Sequence, residues 1–290
     1  GLGKISVGPP YFNSVFIPIM APVLFLMGIG PLVRWKHAEL PPLIQRLRWA
    51  FASAVVLALI LPFLLGTWMP LVALGLLLAF WIMATVAIDV ADRWKTASGS
   101  LSERIKRPAR SFYGMALAHF GVAIVIVGIT LVSGYESERE VRMAPGESVS
   151  LRGYTFTFNG VEEVPGPNYR AARGSFEFAR DGRRLRTLHP EKRMYNASSM
   201  IMTEAAINYG LTRDLYLALG EPLTDGAWSV RVYHKPFVTW IWGGSLLMAL
   251  GGLLALSDRR YRIAARRDLK LAAGAKPSGD AALNPQGERA

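Results

Sequence analysis

His119 is the one basic side chain in residues 112–132 (FYGMALAHFGVAIVIVGITLV), a run with no carboxylate. A run of this length and apolarity reads as a membrane-spanning helix, and at 1.5 Å per residue His119 lies roughly 10 Å in from its start. An imidazole in hydrocarbon needs a partner, since an unpaired polar group there is costly. Three chemistries fit one. They are a hydrogen bond to a neighbouring helix, axial ligation of a haem iron, and proton relay. Ala116 and Ala123 flank His119 on its helical face, and small residues let a flat macrocycle approach the backbone. Gly114, Ala118, Gly121, Val125 and Gly128 form a neighbouring stripe suited to close helix packing. A six-coordinate haem needs a second ligand. The embedded candidates here are methionines such as Met20, Met27 and Met83, or a residue supplied from elsewhere.

The remaining polar candidates are weaker. His37 falls in a basic loop, where solvation explains it. His189 precedes Pro190, and His234 precedes Lys235-Pro236 at the mouth of the last apolar run. No second ligand accompanies either, so each is read as structural or solvated. Asp89 closes the third run and reads as an interfacial or ion-paired group. Arg170, Arg173, Arg180, Arg183, Arg184 and Arg186 make the middle of the long polar segment basic. They read as a solvated face, with a docking surface for an acidic partner as the alternative. No side chain presents itself as a catalytic acid, base or nucleophile.

The elements that position His119 follow from hydropathy. The chain has 290 residues, 51% of them hydrophobic, gathered into five long apolar runs. They predict membrane helices at about 12–33, 49–66, 69–88, 112–132 and 236–257. Residues 134–235 differ. Stretches such as 149–158 (VSLRGYTFTF) and 174–180 (GSFEFAR) alternate polar and apolar, and Asp181-Gly182, Asn159-Gly160 and Asp225-Gly226 punctuate them. That pattern predicts a small antiparallel β barrel or sandwich. The expected fold is therefore an α-helical integral membrane protein of five spans with an inserted extracytoplasmic β-rich domain at 134–235. Residues 258–290 form a basic, polar tail expected to lack a packed core.

The net charge of +12 is unevenly placed. The loop 34–49 carries four basic residues against Glu39, and the loop 90–111 carries six against Asp92 and Glu103. The segment 134–235 is nearly balanced, with fourteen basic and thirteen acidic residues. Short basic loops stay in the cytoplasm. This sets both loops and the C-terminus inside, and the N-terminus and the β-rich segment outside. It also speaks against nucleic acid as a partner. The chain has no cysteine, so thiol exchange, thiolate-held Fe–S clusters and covalent C-x-x-C-H haem attachment to this chain are excluded. It begins with Gly1 in a Gly/Pro-rich stretch without a signal peptide, and is expected to continue a larger membrane protein.

Several separated strings carry a family resemblance. Residues 3–36 (GKISVGPPYFNSVFIPIMAPVLFLMGIGPLVRWK), 118–128, 190–195 (PEKRMY), 213–223 (RDLYLALGEPL) and 235–260 (KPFVTWIWGGSLLMALGGLLALSDRR) are similar to the C-terminal part of the CcmF family, haem-lyase subunits of bacterial cytochrome c maturation. The nitrite-reductase-specific paralogue NrfE shares these features. The resemblance implies location in the bacterial inner membrane. It implies a b-type haem held between two membrane histidines, with His119 matching one, as iron ligand. It implies haem delivery by the chaperone CcmE and presentation of apocytochrome c by CcmH/CcmI-type subunits. The family's tryptophan-rich WWD segment, the second membrane histidine and the outer-face histidines have no counterpart here. They are expected in an N-terminal part of the same subunit. Two further readings stay open: a transporter or proton-relay component working through His119, and a non-catalytic scaffold that docks partners through its periplasmic domain.

Overall fold

The computed structural model describes residues 8–33, 40–197 and 200–258. His37 and all but the first residue of the 258–290 tail lie outside them. Six helices and ten strands follow in order. Helices α1 (Pro9–Ile29), α2 (Leu40–Leu65), α3 (Pro70–Thr96), the short α4 (Leu101–Lys106) and α5 (Arg110–Tyr135) precede the strands, and α6 (Val238–Leu256) closes the described chain. Five of the helices are long and apolar enough to cross a membrane. The chain is a multi-pass membrane protein.

The helices run past the apolar runs that predicted them. Pro41 and Pro42 open α2 in its first turn, and no glycine or proline lies between them and the apolar run or between Ile88 and Thr96 of α3, so Arg46, Arg48, Asp92 and Arg93 are helical rather than loop residues. The polar extensions pair with each other: Arg46 bonds Asp92 across α2 and α3. Pro18 and Pro22 both lie within α1, and Pro31 falls in the 3-10 turn Gly30–Leu32 that ends it. The stretch between α3 and α5, expected to be loop, contains α4, opened by a capping box of Ser100 and Glu103.

Trp81 ties the first three helices together. Its ring stacks on Phe25 at 5.3 Å and meets Phe51 edge-on at 5.7 Å. Its indole N–H donates to the Phe25 carbonyl at 2.9 Å. A side chain at Gly28 would collide with this indole. The buried face of α3 continues through Leu76, Ala79 and Ile82, and meets Ala123, Val127 and Leu131 of α5.

Helices α5 and α6 pack backbone to backbone. A Cβ on Gly114 would meet the Gly251 carbonyl, one on Gly121 the Gly244 carbonyl, and one on Gly128 the side chain of Ile241 and the Phe237 carbonyl. The glycines recur every seven residues, so they stay on one face of α5, and the descending order of their partners makes the pair antiparallel. The small-residue stripe seen in the sequence is this interface. Asp258, expected to begin a loose tail, is buried instead and accepts from the Ser111 backbone N–H at 3.1 Å. A carboxylate at the first turn of α5 complements the helix dipole.

The β domain is a sandwich. One sheet orders β1 (Ser137–Met143), β10 (Trp228–Pro236), β9 (Arg213–Pro222) and β8 (Ala206–Asn208). The other orders β2 (Ser148–Leu151), β3 (Tyr154–Pro165), β4 (Tyr169–Arg180), β6 (Glu191–Tyr195) and β7 (Ile201–Glu204), while β5 (Arg183–Leu188) pairs with the end of β4. All pairs are antiparallel. Arg152-Gly153 and Asp181-Gly182 both have positive φ at each residue, the backbone a two-residue hairpin turn requires. Alternate residues build the core: Tyr154, Phe156 and Phe158 on β3, Phe176 and Phe178 on β4, Leu215, Leu217 and Leu219 on β9, Val230 and Val232 on β10.

Candidate functional site

His119 lies nine residues into α5, roughly 14 Å from its start and about 24 Å from its end at Tyr135. Its neighbours on the same helical face, Ala116 and Ala123, are buried. The glycine face of α5 is taken by α6, and the Ala123–Val127–Leu131 face by α3. His119 itself stays half-buried.

Its Nδ1 sits 2.9 Å from the Met115 carbonyl oxygen, one turn back. A carbonyl only accepts, so Nδ1 carries the proton and donates. In a neutral imidazole the lone pair is then on Nε2. This is the arrangement a metal-ligating histidine uses, one nitrogen fixed by a hydrogen bond and the other offered outward. The ring is thus prepared in tautomer and orientation by the helix that carries it. Among the described residues the Met115 carbonyl is its only hydrogen-bond partner.

The donor set fits one axial position of a haem. Among the described residues no group of three or more His, Cys, Asp or Glu gathers as a metal site. Met27 and Met83 pack into the apolar cluster around Trp81. His189 is exposed between β5 and β6. His234 belongs to β10, beyond the end of α5 and so more than about 20 Å from His119. No second described histidine can share an iron with His119.

Asp89 departs from its expected interfacial role in one respect. The carboxylate does pair with Arg93, one turn on, at 3.4 Å. Yet the residue is 7% exposed, and its Oδ2 has no partner. It borders a cavity of about 10 Å³ with Gly28, Pro31, Thr85, Val86, Met115 and Ala116, space for about one water. Sequence marked Asp89 as terminal; it gave no sign that α1 and α5 would cover it.

The basic stretch of the β domain divides. Arg173 bonds Glu191, Arg184 bonds Glu177, and Arg180 lies over the Tyr154 ring while donating to its hydroxyl. Arg170, Arg183 and Arg186 are exposed. Half of the patch is therefore paired within the β domain, but only Arg173 is also partly covered, while Arg180 and Arg184 stay exposed.

The chain as a whole is similar to known proteins. Residues 134–236 match the model of the CcmF C-terminal beta-sandwich. The chain is 45% identical over 276 residues to the cytochrome c-type biogenesis protein CcmF of Pseudomonas aeruginosa, covering 95% of this chain and 42% of that protein. It is 47% identical over 263 residues to CcmF of Escherichia coli, covering 90% and 39%. A solved structure of the cytochrome c heme lyase CcmF superposes with a TM-score of 0.71 at 26% identity, over 86% of this chain and 41% of that one. The chain thus spans about two fifths of the length of the relatives it matches.

Proposed function

We propose that the chain is the C-terminal part of a CcmF-family subunit and serves a cytochrome c haem lyase by supplying His119 as one axial ligand of a membrane b-type haem. The second ligand then comes from the N-terminal part of the same subunit. When bound, such a haem supplies one-electron chemistry, with a potential set by its ligands and burial. This chain's own contribution is to hold the ligand. Met115 keeps the Nδ1 proton and so presents Nε2. Ala116 and Ala123 keep the approach to the helix backbone open. The α3 and α6 contacts leave α5 one free direction.

The observation that carries the reading is the 2.9 Å bond from His119 to Met115, which fixes the ligating tautomer without a second titratable group. A proton relay is less well served, because the partner of His119 is a backbone carbonyl that takes up no proton. A scaffold role leaves a half-buried imidazole in the middle of a membrane helix unexplained.

The wider assignment follows the family. It covers the bacterial inner membrane, a periplasmic sandwich and N-terminus with a cytoplasmic C-terminus, haem received from CcmE, and apocytochrome c presented by CcmH/CcmI-type subunits for thioether attachment. The test is spectroscopic. Purified with its N-terminal counterpart, the protein should show a low-spin b-type spectrum. His119→Ala should abolish or strongly reduce it, and His119→Gly should regain it in part with added imidazole. An unchanged spectrum in His119→Ala overturns the assignment.

A further inference from the structure

The sandwich joins the membrane helices by two chain connections, Tyr135 into β1 and β10 into α6. These strands are neighbours, with Ser137 opposite His234 in register. Two tethers side by side define a hinge, and a hinge alone leaves the domain free to tip. The loop 209–212, between β8 and β9, supplies a third point. Three hydrogen bonds clamp it to the start of α6: the Phe237 backbone N–H to the Thr212 carbonyl at 3.1 Å, the Thr239 hydroxyl to the Gly210 carbonyl at 2.9 Å, and the Trp240 indole N–H to the Leu211 carbonyl at 3.0 Å.

This clamp fixes the depth of the loop. The last apolar span begins at Val238, so Leu211 is bonded at the level of the third residue of that span. A polar loop would be out of place there. Instead Tyr209 and Leu211 stand 70% and 73% exposed. Trp242, on the first turns of α6, is 71% exposed, in keeping with an aromatic side chain at the headgroup level. The exposed apolar residues of the loop thus stand beside the first turn of α6, where Trp242 is exposed as well.

We infer that the loop 209–212 inserts Tyr209 and Leu211 into the headgroup–acyl boundary of the bilayer face on which the sandwich stands, as the third footing that sets the domain's tilt. The partner is lipid. A tyrosine suits that depth, with its ring in the acyl boundary and its hydroxyl among headgroups. Leu211 contributes apolar area alone. The inference is independent of any haem at His119.

The chain has no cysteine, so a nitroxide on Leu211→Cys is a single label. The full chain is reconstituted in vesicles of phosphatidylethanolamine and phosphatidylglycerol. Collision with oxygen, which concentrates in lipid, is compared with collision with a water-soluble nickel chelate. Label at 211, and separately at 209 in Tyr209→Cys, should respond more to oxygen than to nickel. Glu221→Cys, on the exposed end of β9, should respond in the opposite sense. A nickel-dominated response at both 209 and 211 places the loop in water and overturns the inference. Low response to both reagents means that protein covers the loop, and overturns it equally.

Discussion

Gly121 and Gly244 face each other so closely that neither can carry a side chain. A Cβ on Gly121 would stand 2.7 Å from the Gly244 carbonyl oxygen, and one on Gly244 would stand 2.6 Å from the Gly121 carbonyl oxygen. The obstacle on each side is backbone, which cannot swing away. Gly121→Val or Gly244→Val should therefore force α5 and α6 apart, at a cost of roughly 1–3 kcal/mol. Gly243, next in the chain, would meet nothing within 4 Å. Gly243→Ala should be neutral, or stabilise the helix by up to about 1 kcal/mol. Denaturant unfolding in detergent, followed by tryptophan fluorescence, compares the three. Equal effects at 243 and 244 would show that α5 and α6 do not pack this way. Because His119 shares α5, the valine variants should also weaken any chromophore it ligates.

Glu191 anchors the second sheet through charge. It lies opposite Arg173 on β4 and opposite Glu204 on β7. It bonds Arg173 at 2.7 Å and Arg193 at 2.8 Å, while Arg193 also reaches Glu204 at 3.5 Å. Burial alone would raise its pKa, but the hydrogen bonds from Arg193 and Arg173 outweigh that and hold it below the usual carboxylate value. The folded form therefore binds fewer protons than the unfolded form in the acid range. Its contribution is complete above the ordinary glutamate value and is lost as pH falls through the depressed one. Glu191→Gln should cost roughly 1–3 kcal/mol at neutral pH by leaving two partly covered guanidiniums without their anion. It should also flatten the acid limb of sandwich stability. Hydrogen exchange at β4 and β6 against pH is the measurement, and an acid limb as steep in the variant as in the parent would refute this role.

What the sequence made legible follows from which forces are local. Long apolar runs and period-two alternation express burial directly, so the five spans and the β domain were readable. So was Asp181-Gly182, because a two-residue turn with positive φ selects those residues. The helix ends were harder. Arg46 and Asp92 read as loop charges, yet each continues a helix because the partner lies across α2 and α3, at a separation no local pattern reveals. The site divided in the same way. The depth of His119 was legible from its run, and its bond to Met115 is one turn long. The covering of Asp89 by Gly28, Pro31 and Met115 was not, since those residues come from helices far apart in sequence. The Arg173–Glu191 pair depended on the register of β4 against β6, which alternation alone does not fix.

His234 sits where the sandwich meets the membrane helices, and one nitrogen of its imidazole lacks a partner. It stacks on Tyr154 at 6.4 Å, and its Nδ1 is buried with no partner. Burial, then the nearby charges of Arg152 and Arg213, push its pKa below the ordinary histidine value. Arg213 cannot relieve it, being committed to the Tyr154 hydroxyl at 2.9 Å and to Asn208. The imidazole is therefore neutral in the fold at pH values where an unfolded chain would protonate it. Below about pH 6.5 the unfolded state binds more protons, so the stability of the junction should fall as the pH is lowered through that value. His234→Phe keeps the ring on Tyr154 and removes the unpaired nitrogen. It should raise stability by about 1 kcal/mol at neutral pH and by more in acid. Amide exchange at β9 and β10 reads this directly: the parent should open more readily at about pH 5 than at neutrality, and the phenylalanine variant should not. An equal loss of protection in both proteins would mean that some other group carries the acid response.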